Sequence, residues 1–257
     1  MTKMESAMRQ IVALLVLVFL GFPSQASAQD GPRLSLAAVQ ASKDFKAYLD
    51  KTANDKNQLD LSSPPGSTLF AAIFDTKAVE ALPPPTGPDL PWLSEWLGVA
   101  ASSYVGIINF SADPRGEPLQ KAVQENVARY EDNLSVAMDF LLRLMPRMAI
   151  AADAFMESLP EKDRNLPARQ QGMAQVRNGY MQTVTGAITF IGGSPKADNS
   201  RLLAKALRDT VDVWSKRANA EERTQFLSQL AQARTGAKDS TVDDHLIAVS
   251  TAIAAIQ

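Results

Sequence analysis

The chain has 257 residues, with 26 basic and 28 acidic side chains, one histidine and a formal net charge of −2. It contains no cysteine, which excludes disulfide bonds, thiol nucleophiles, CxxCH haem attachment and cysteine zinc sites. Nucleic-acid binding usually requires a clustered basic face, and the charge balance gives no sign of one. We therefore expect no nucleic-acid partner and a fold that is stabilised by burial alone.

Residues 1–28 have the three parts of a secretory signal peptide. Lys3 and Arg9 supply a basic start, residues 11–22 are apolar apart from one glycine, and residues 26–28 form an Ala-Ser-Ala cleavage site. The apolar run is shorter than the roughly 20 residues that a membrane-spanning helix needs. We predict cleavage after this segment, a periplasmic or secreted location and no lasting membrane contact. A retained membrane anchor is the alternative.

Apolar residues in the rest of the chain recur at helical spacing, and no segment alternates like a strand. We predict one all-α domain over residues 29–257, an elongated multi-helix bundle. The proline-rich stretch 83–91 is a candidate linker, and the helices in 197–257 are candidates for a separate subunit of the domain. Helix breakers and capping residues divide the domain into helices at 33–58, 66–82, 90–112, 117–158, 167–193, 197–217, 220–235 and 240–256.

The longest predicted helix, 117–158, pairs with 167–193 in a long antiparallel hairpin at about 117–193. Its apolar seam steps by three or four residues and predicts a rod of roughly 60 Å, kinked at Pro146. From Val136 onward the apolar surface widens, so this half should be surrounded by other helices on most sides. Only a narrow polar strip remains, formed by Asp139, Arg143, Arg147, Asp153 and Glu157.

Three glycines at seven-residue intervals, Gly172, Gly179 and Gly186, lie on one face of the predicted helix 167–193. Each costs about 1 kcal/mol relative to alanine, so a compensating benefit is needed. We interpret them as helix-packing notches, in which the missing side chain lets a neighbouring helix approach closely. Chance spacing is the alternative interpretation.

Antiparallel pairing around a turn near 158–167 predicts what each notch receives. The first glycine would lie near Phe155, the second near Pro146 and Arg147, and the third near Phe140. The bulky side chains and the kink of the long helix would then fill the notches of its partner.

Two segments, 96–112 and 178–195, contain no charged residue. The first is at the lower limit of membrane-spanning length, and we favour a buried central helix over membrane contact. In the second, Thr183, Thr185 and Thr189 can return hydrogen bonds to the preceding helical turn, which makes an uncharged buried helix acceptable.

The residues available for chemistry are few. His245, the single histidine, follows Asp243 and Asp244 near a predicted helix start, where carboxylates favour the macrodipole and Ser240 or Thr241 would cap the helix. A carboxylate-rich metal site is the alternative. No GxSxG motif accompanies this histidine, so we predict no catalytic residues, no metal and no cofactor.

Two acidic pairs and six methionines could each serve either the fold or a chemical function. We interpret two acidic pairs, Asp209 with Asp212 and Glu221 with Glu222, as solvated faces, with acid–base catalysis as the alternative. Copper(I) binding is the alternative to core packing for six methionines on or beside the apolar seams, namely Met138, Met145, Met148, Met156, Met173 and Met181.

Two functional hypotheses from different classes follow. The first is a secreted or periplasmic interaction or scaffold protein, with a protein partner or self-association through an exposed patch. That patch would lie around Trp92 and Trp96 or on the C-terminal helix. The second is a carrier of a hydrophobic small molecule between helices, near Phe140, Pro146 and Phe155. It predicts an enclosed apolar pocket lined by Met, Phe, Trp and Thr. An enzyme ranks third.

Overall fold

The computed structural model describes residues 31–111, 118–237 and 239–256, and the side chains of 33–111, 121–237 and 239–256. The predicted signal peptide lies outside the described residues. Within them there are no strands, and the helices longer than one turn are α1 (Gly31–Asn54), α2 (Gly66–Ile73), α3 (Thr76–Ala81), α4 (Leu90–Ile108), α5 (Pro118–Arg129), α6 (Glu131–Ser158), α7 (Pro167–Gly193), α8 (Ala197–Trp214), α9 (Ala220–Gly236) and α10 (Ser240–Ala254). The predicted all-α multi-helix bundle is confirmed.

The predicted helix 66–82 is wrong as one element, because the chain breaks between α2 and α3. Phe74 leaves the helical region, with φ −108° and ψ 48°. The side chain of Asp75 then caps α3 by accepting the backbone N–H of Ala78 at 3.0 Å. The carbonyl of Ile73 accepts the indole Nε1–H of Trp96 at 3.0 Å, so a tertiary hydrogen bond replaces the helical one.

The predicted 60 Å rod over 117–158 is also wrong, because it is interrupted at Tyr130, where φ is −103° and ψ is 23°. On the α5 side of the break, the Asn126 amide donates to the carbonyls of Ile108 and Phe110 at 3.0 and 2.8 Å. These bonds satisfy the end of α4. The continuous apolar seam gave no sign of the break at Tyr130.

Helix α6 is the centre of the bundle. From Leu134 to Ala152 nearly every position is buried, in agreement with the predicted widening of its apolar surface. Helices α3 and α4 pack on it, as do α7 and α8, while α1 packs on α4. Pro146 lies inside α6 and is buried.

Helices α6 and α7 pack against each other as an antiparallel pair. At the end of α7, the Ser194 hydroxyl donates to the carboxylate of Glu131, the first residue of α6. Lys196 forms an ion pair with Asp132 at 2.8 Å. The predicted long hairpin is therefore present over α6 and α7.

The predicted hydrogen bonds of the uncharged part of α7 are confirmed. Thr183 donates to the carbonyl of Gly179 at 3.0 Å, Thr185 donates to Met181 at 3.0 Å, and Thr189 donates to Thr185 at 2.9 Å. Each hydroxyl is satisfied within its own helix. These three threonines can therefore be buried without a polar partner outside α7.

The three glycines of the predicted notches all lie on α7. Gly179 and Gly186 are buried, and Gly172 is partly exposed. The predicted contacts of these glycines, with Phe155, with Pro146 and Arg147, and with Phe140, stay a prediction. A close backbone approach occurs at another glycine, Gly192, where an added Cβ would lie 3.3 Å from the Cα of Ala233 in α9.

The C-terminal helix α10 packs on α8 and α9. Its apolar residues Leu246, Val249 and Ile253 are buried in the same core cluster as the residues of α4 and α6. They complete this chain's own core, which leaves them unavailable to a partner. The uncharged segment that begins at Trp96 is likewise a buried helix, α4. Among the helices of the described residues, none has the length and apolarity to cross a membrane.

Candidate functional site

Two of the aromatic residues singled out from the sequence, Trp96 and Phe140, are brought together in the core. Their ring centroids are 5.4 Å apart, and the ring of Phe140 also meets that of Phe74 edge-on at 5.7 Å. Both side chains are almost completely buried. They fill the contact between α2, α4 and α6 and do not line a cavity described below.

The other two aromatic residues lie nearer the surface. Trp92 is half-buried and donates its Nε1–H to Asp89 at 3.0 Å. Phe155, also partly buried, lies where the 3₁₀ turn Gly87–Asp89 crosses α6: a Cβ added at Gly87 would lie 3.1 Å from the Phe155 Cα. This close approach fixes the end of the proline-rich segment on α6.

Pro146 lines a surface groove of about 410 Å³ between α3, α6, α8 and the proline-rich segment. We call it the Pro146 groove. Its polar lining comes from Glu80, Arg143, Arg147, Asp209 and Thr210. Its apolar lining is formed by Val79, Leu82, Pro84, Pro85, Pro146, Ile150 and Val213. Ile150 is 37% exposed and marks the outer edge of the groove.

Arg143 holds one wall of the groove together, because carboxylates from three helices converge on its guanidinium. Its Nε–H donates to Asp139 of α6 at 2.9 Å, Nη1 lies 3.0 Å from Glu80 of α3, and Nη1 lies 3.5 Å from Asp209 of α8. Burial by itself lowers the pKa of Arg143, but the three carboxylates outweigh it and the pKa is raised. The positive charge of Arg143 is therefore balanced by acidic side chains of the same chain.

Asp139, the carboxylate beside Arg143 on α6, is itself buried. Thr76 donates a hydrogen bond to its second oxygen at 3.3 Å. Burial raises the pKa of Asp139, and Arg143 and Thr76 offset only part of that effect. The Thr76–Asp139 hydrogen bond and the Arg143–Glu80 ion pair thus join α3 to α6, at a cost in the desolvation of Asp139.

Arg147, one turn further along α6, has different partners. Its Nη1 and Nη2 groups donate to the backbone carbonyls of Pro83 at 2.7 Å and Leu82 at 2.8 Å. Within the described residues, no carboxylate lies within ion-pair distance of it. Burial lowers the pKa of Arg147, and no neighbouring charge counters this.

Two of the acidic residues interpreted as solvated faces also take part in ion pairs. Asp209 lies at the surface of α8 and joins Arg143, Lys205 and Arg208 in one ion-pair cluster. Glu222 likewise pairs with Arg177 of α7. Local charge patterns do not indicate the Arg143–Asp209 and Arg177–Glu222 pairs, because their residues lie 66 and 45 positions apart in the chain.

The cap of α10 also differs from the prediction. Asp239, rather than Ser240 or Thr241, caps the helix by accepting the N–H of Val242 at 3.1 Å. His245 lies 3.1 Å from a guanidinium nitrogen of Arg208, and burial and that cation lower its pKa. In the described part of the chain, no group of three or more histidine and acidic side chains is arranged to hold a metal ion.

A second groove, of about 340 Å³, lies between α6 and α7 and is lined by Asp153, Met173, Arg177 and Arg217, among others. Here both arginines have acidic partners: Arg177 pairs with Glu222, and Arg217 pairs with Asp153. The positive charges of this groove are compensated within the chain. The Pro146 groove differs because one of its arginines, Arg147, has no acidic partner among the described residues.

Comparisons of the chain with protein-family models, with curated proteins and with solved structures found no match. The candidate site therefore depends on the geometry alone. Sequence reasoning identified Pro146 and the polar strip that contains Arg143 and Arg147, but it missed the groove walls supplied by α3, α8 and the proline-rich segment. The clustered prolines at 83–85 were the available signal for one wall.

Proposed function

We propose that this protein is a secreted or periplasmic interaction protein that binds a segment of a partner protein in the Pro146 groove. The proposed location depends on the signal-like sequence of residues 1–28. The binding role depends on one observation: an open groove combines seven apolar lining residues with a guanidinium that has no acidic partner among the described residues.

The composition of the groove is typical of a recognition surface. Apolar side chains that reach the surface, such as Ile150 and Val213, gain free energy when a partner covers them. A small number of polar groups then fixes orientation and specificity. Because α6 is held on several sides by other helices, the groove is a rigid, preformed surface, which lowers the entropic cost of binding.

Site-specific photo-crosslinking tests this function. We would place a photoreactive amino acid at Ile150, which is 37% exposed in the groove, and at Ile247 of α10, which is 40% exposed outside it. The expected result is one defined crosslinked protein at position 150 and none at position 247. The substitution Val213→Glu, in the groove wall, should abolish the product. Equal products at both positions would contradict the proposal, and a crosslink to a second copy would indicate self-association.

The second candidate function is that of a carrier for a hydrophobic small molecule. The volume of the Pro146 groove favours it, since about 410 Å³ lies within the usual range of roughly 300–1,000 Å³ for small-molecule sites. The predicted carrier pocket was enclosed and lined by Met, Phe, Trp and Thr, whereas this groove is open and contains charged residues. Native mass spectrometry of protein recovered from its own compartment separates the two: a bound small mass supports the carrier.

A further inference from the structure

We infer that the Pro146 groove recognises an acidic side chain carried within an apolar segment of the partner, with Arg147 as the residue that binds the carboxylate. This inference extends the proposed function and depends on it. It assigns a chemical class to the ligand, a Glu or Asp flanked by apolar residues, and a role to one side chain of the groove.

The hydrogen-bonding capacity of Arg147 carries the first step. A guanidinium has five N–H donors in a fixed planar fork. In Arg147 two of them point to the carbonyls of Leu82 and Pro83, which fixes the orientation of the plane. Three donors remain, including the Nε–H, and the edge formed by Nε and one Nη matches a carboxylate in a bidentate arrangement.

The charge balance of the groove carries the second step. Beside Arg147, a cluster of three cations and three carboxylates is balanced within itself; it consists of Arg143, Lys205, Arg208, Glu80, Asp139 and Asp209. Arg147 is left as an additional positive charge, half-buried and held by carbonyl groups alone among the described residues. A partly desolvated charge without a counter-charge is costly, and an incoming carboxylate offsets part of that cost.

The apolar lining carries the third step, because it selects the neighbours of the carboxylate. Pro84, Pro85, Ile150 and Val213 lie around the same groove as Arg147. Apolar side chains flanking the acid would cover these residues, exclude water and strengthen the ion pair. Because the groove is open at the surface, a chain can cross it without ending there, so we assign an acidic side chain and not a chain terminus.

The experiment uses the purified chain and a random peptide library. Peptides that bind are resynthesised with amidated C-termini, and each Glu or Asp is then replaced by Gln or Asn. We expect the selected peptides to carry an acid between apolar residues, and the amide replacement to weaken binding about tenfold or more. This comparison varies the peptide only, so it holds even if a protein variant fails to fold.

Protein variants locate the effect. Arg147→Gln should weaken the same peptides by about the same factor, and its effect should not add to that of the amide replacement, because both remove one interaction. Arg169→Gln is the matched control, since Arg169 of α7 is also partly buried and also donates to a backbone carbonyl, that of Asp163 at 2.8 Å. It should leave peptide affinity unchanged.

The outcomes separate the inference from the function on which it depends. Peptides that crosslink to position 150 but lack an acid, or that bind Arg147→Gln as well as the unmodified chain, would overturn the inference and leave the interaction function standing. Peptides that bind only through a free C-terminal carboxylate would overturn the assignment to an acidic side chain. If no peptide binds in the groove, both the inference and the proposed function are wrong.

Discussion

Removing the Phe140 ring should destabilise the protein by about 4–5 kcal/mol. Phe→Ala substitutions in well-packed cores cost about 3–5 kcal/mol, from lost transfer free energy and from the cavity left behind. Phe140 is fully buried and meets two other rings, those of Phe74 and Trp96, at 5.7 and 5.4 Å. Each such pair adds about 0.5–1.5 kcal/mol beyond its buried area, which places Phe140→Ala in the upper half of the range.

The matched control is Phe155→Ala, the same chemical change on the same helix. Phe155 is only partly buried, so the expected loss is about 1–2 kcal/mol. Urea unfolding followed by circular dichroism gives both free energies of unfolding. If Phe140→Ala leaves too little stability to measure, Phe140→Leu, which keeps most of the volume, should cost less than about 2 kcal/mol. Equal losses for Phe140→Ala and Phe155→Ala would refute the argument from burial.

Two further substitutions test other parts of the fold. Gly179→Leu in the buried part of α7 should cost about 1–3 kcal/mol from overpacking, whereas Gly172→Leu at a partly exposed position should cost less; unchanged stability of Gly179→Leu would exclude the packing notch. Burial raises the pKa of Asp139 above its ordinary 3.8, so stability that is present below about pH 3.8 is lost as pH rises through the raised value. The free energy of unfolding of the unmodified protein should therefore fall over this pH range relative to that of Asp139→Asn. Parallel pH profiles for the two proteins would contradict the assignment.

The sequence by itself determined the helical architecture. Apolar residues at intervals of three and four identify the buried face of a helix, and Pro and Gly clusters mark its ends, because both signals are local. The same reasoning located the buried half of α6 and the hydrogen bonds of Thr183, Thr185 and Thr189, whose partners lie one turn away in the same helix.

Only the tertiary structure decided where those helices break and which polar groups meet. The interruption at Tyr130 accompanies the bonds of Asn126 to the end of α4, and the partners of Arg143 come from three helices. The Pro146 groove arises in the same way, since its walls belong to α3, α6, α8 and the proline-rich segment. The periodicity of a sequence records that a face is buried. The choice of its neighbour depends on contacts between residues of different helices, from 16 to 66 positions apart in these examples, which no local pattern encodes.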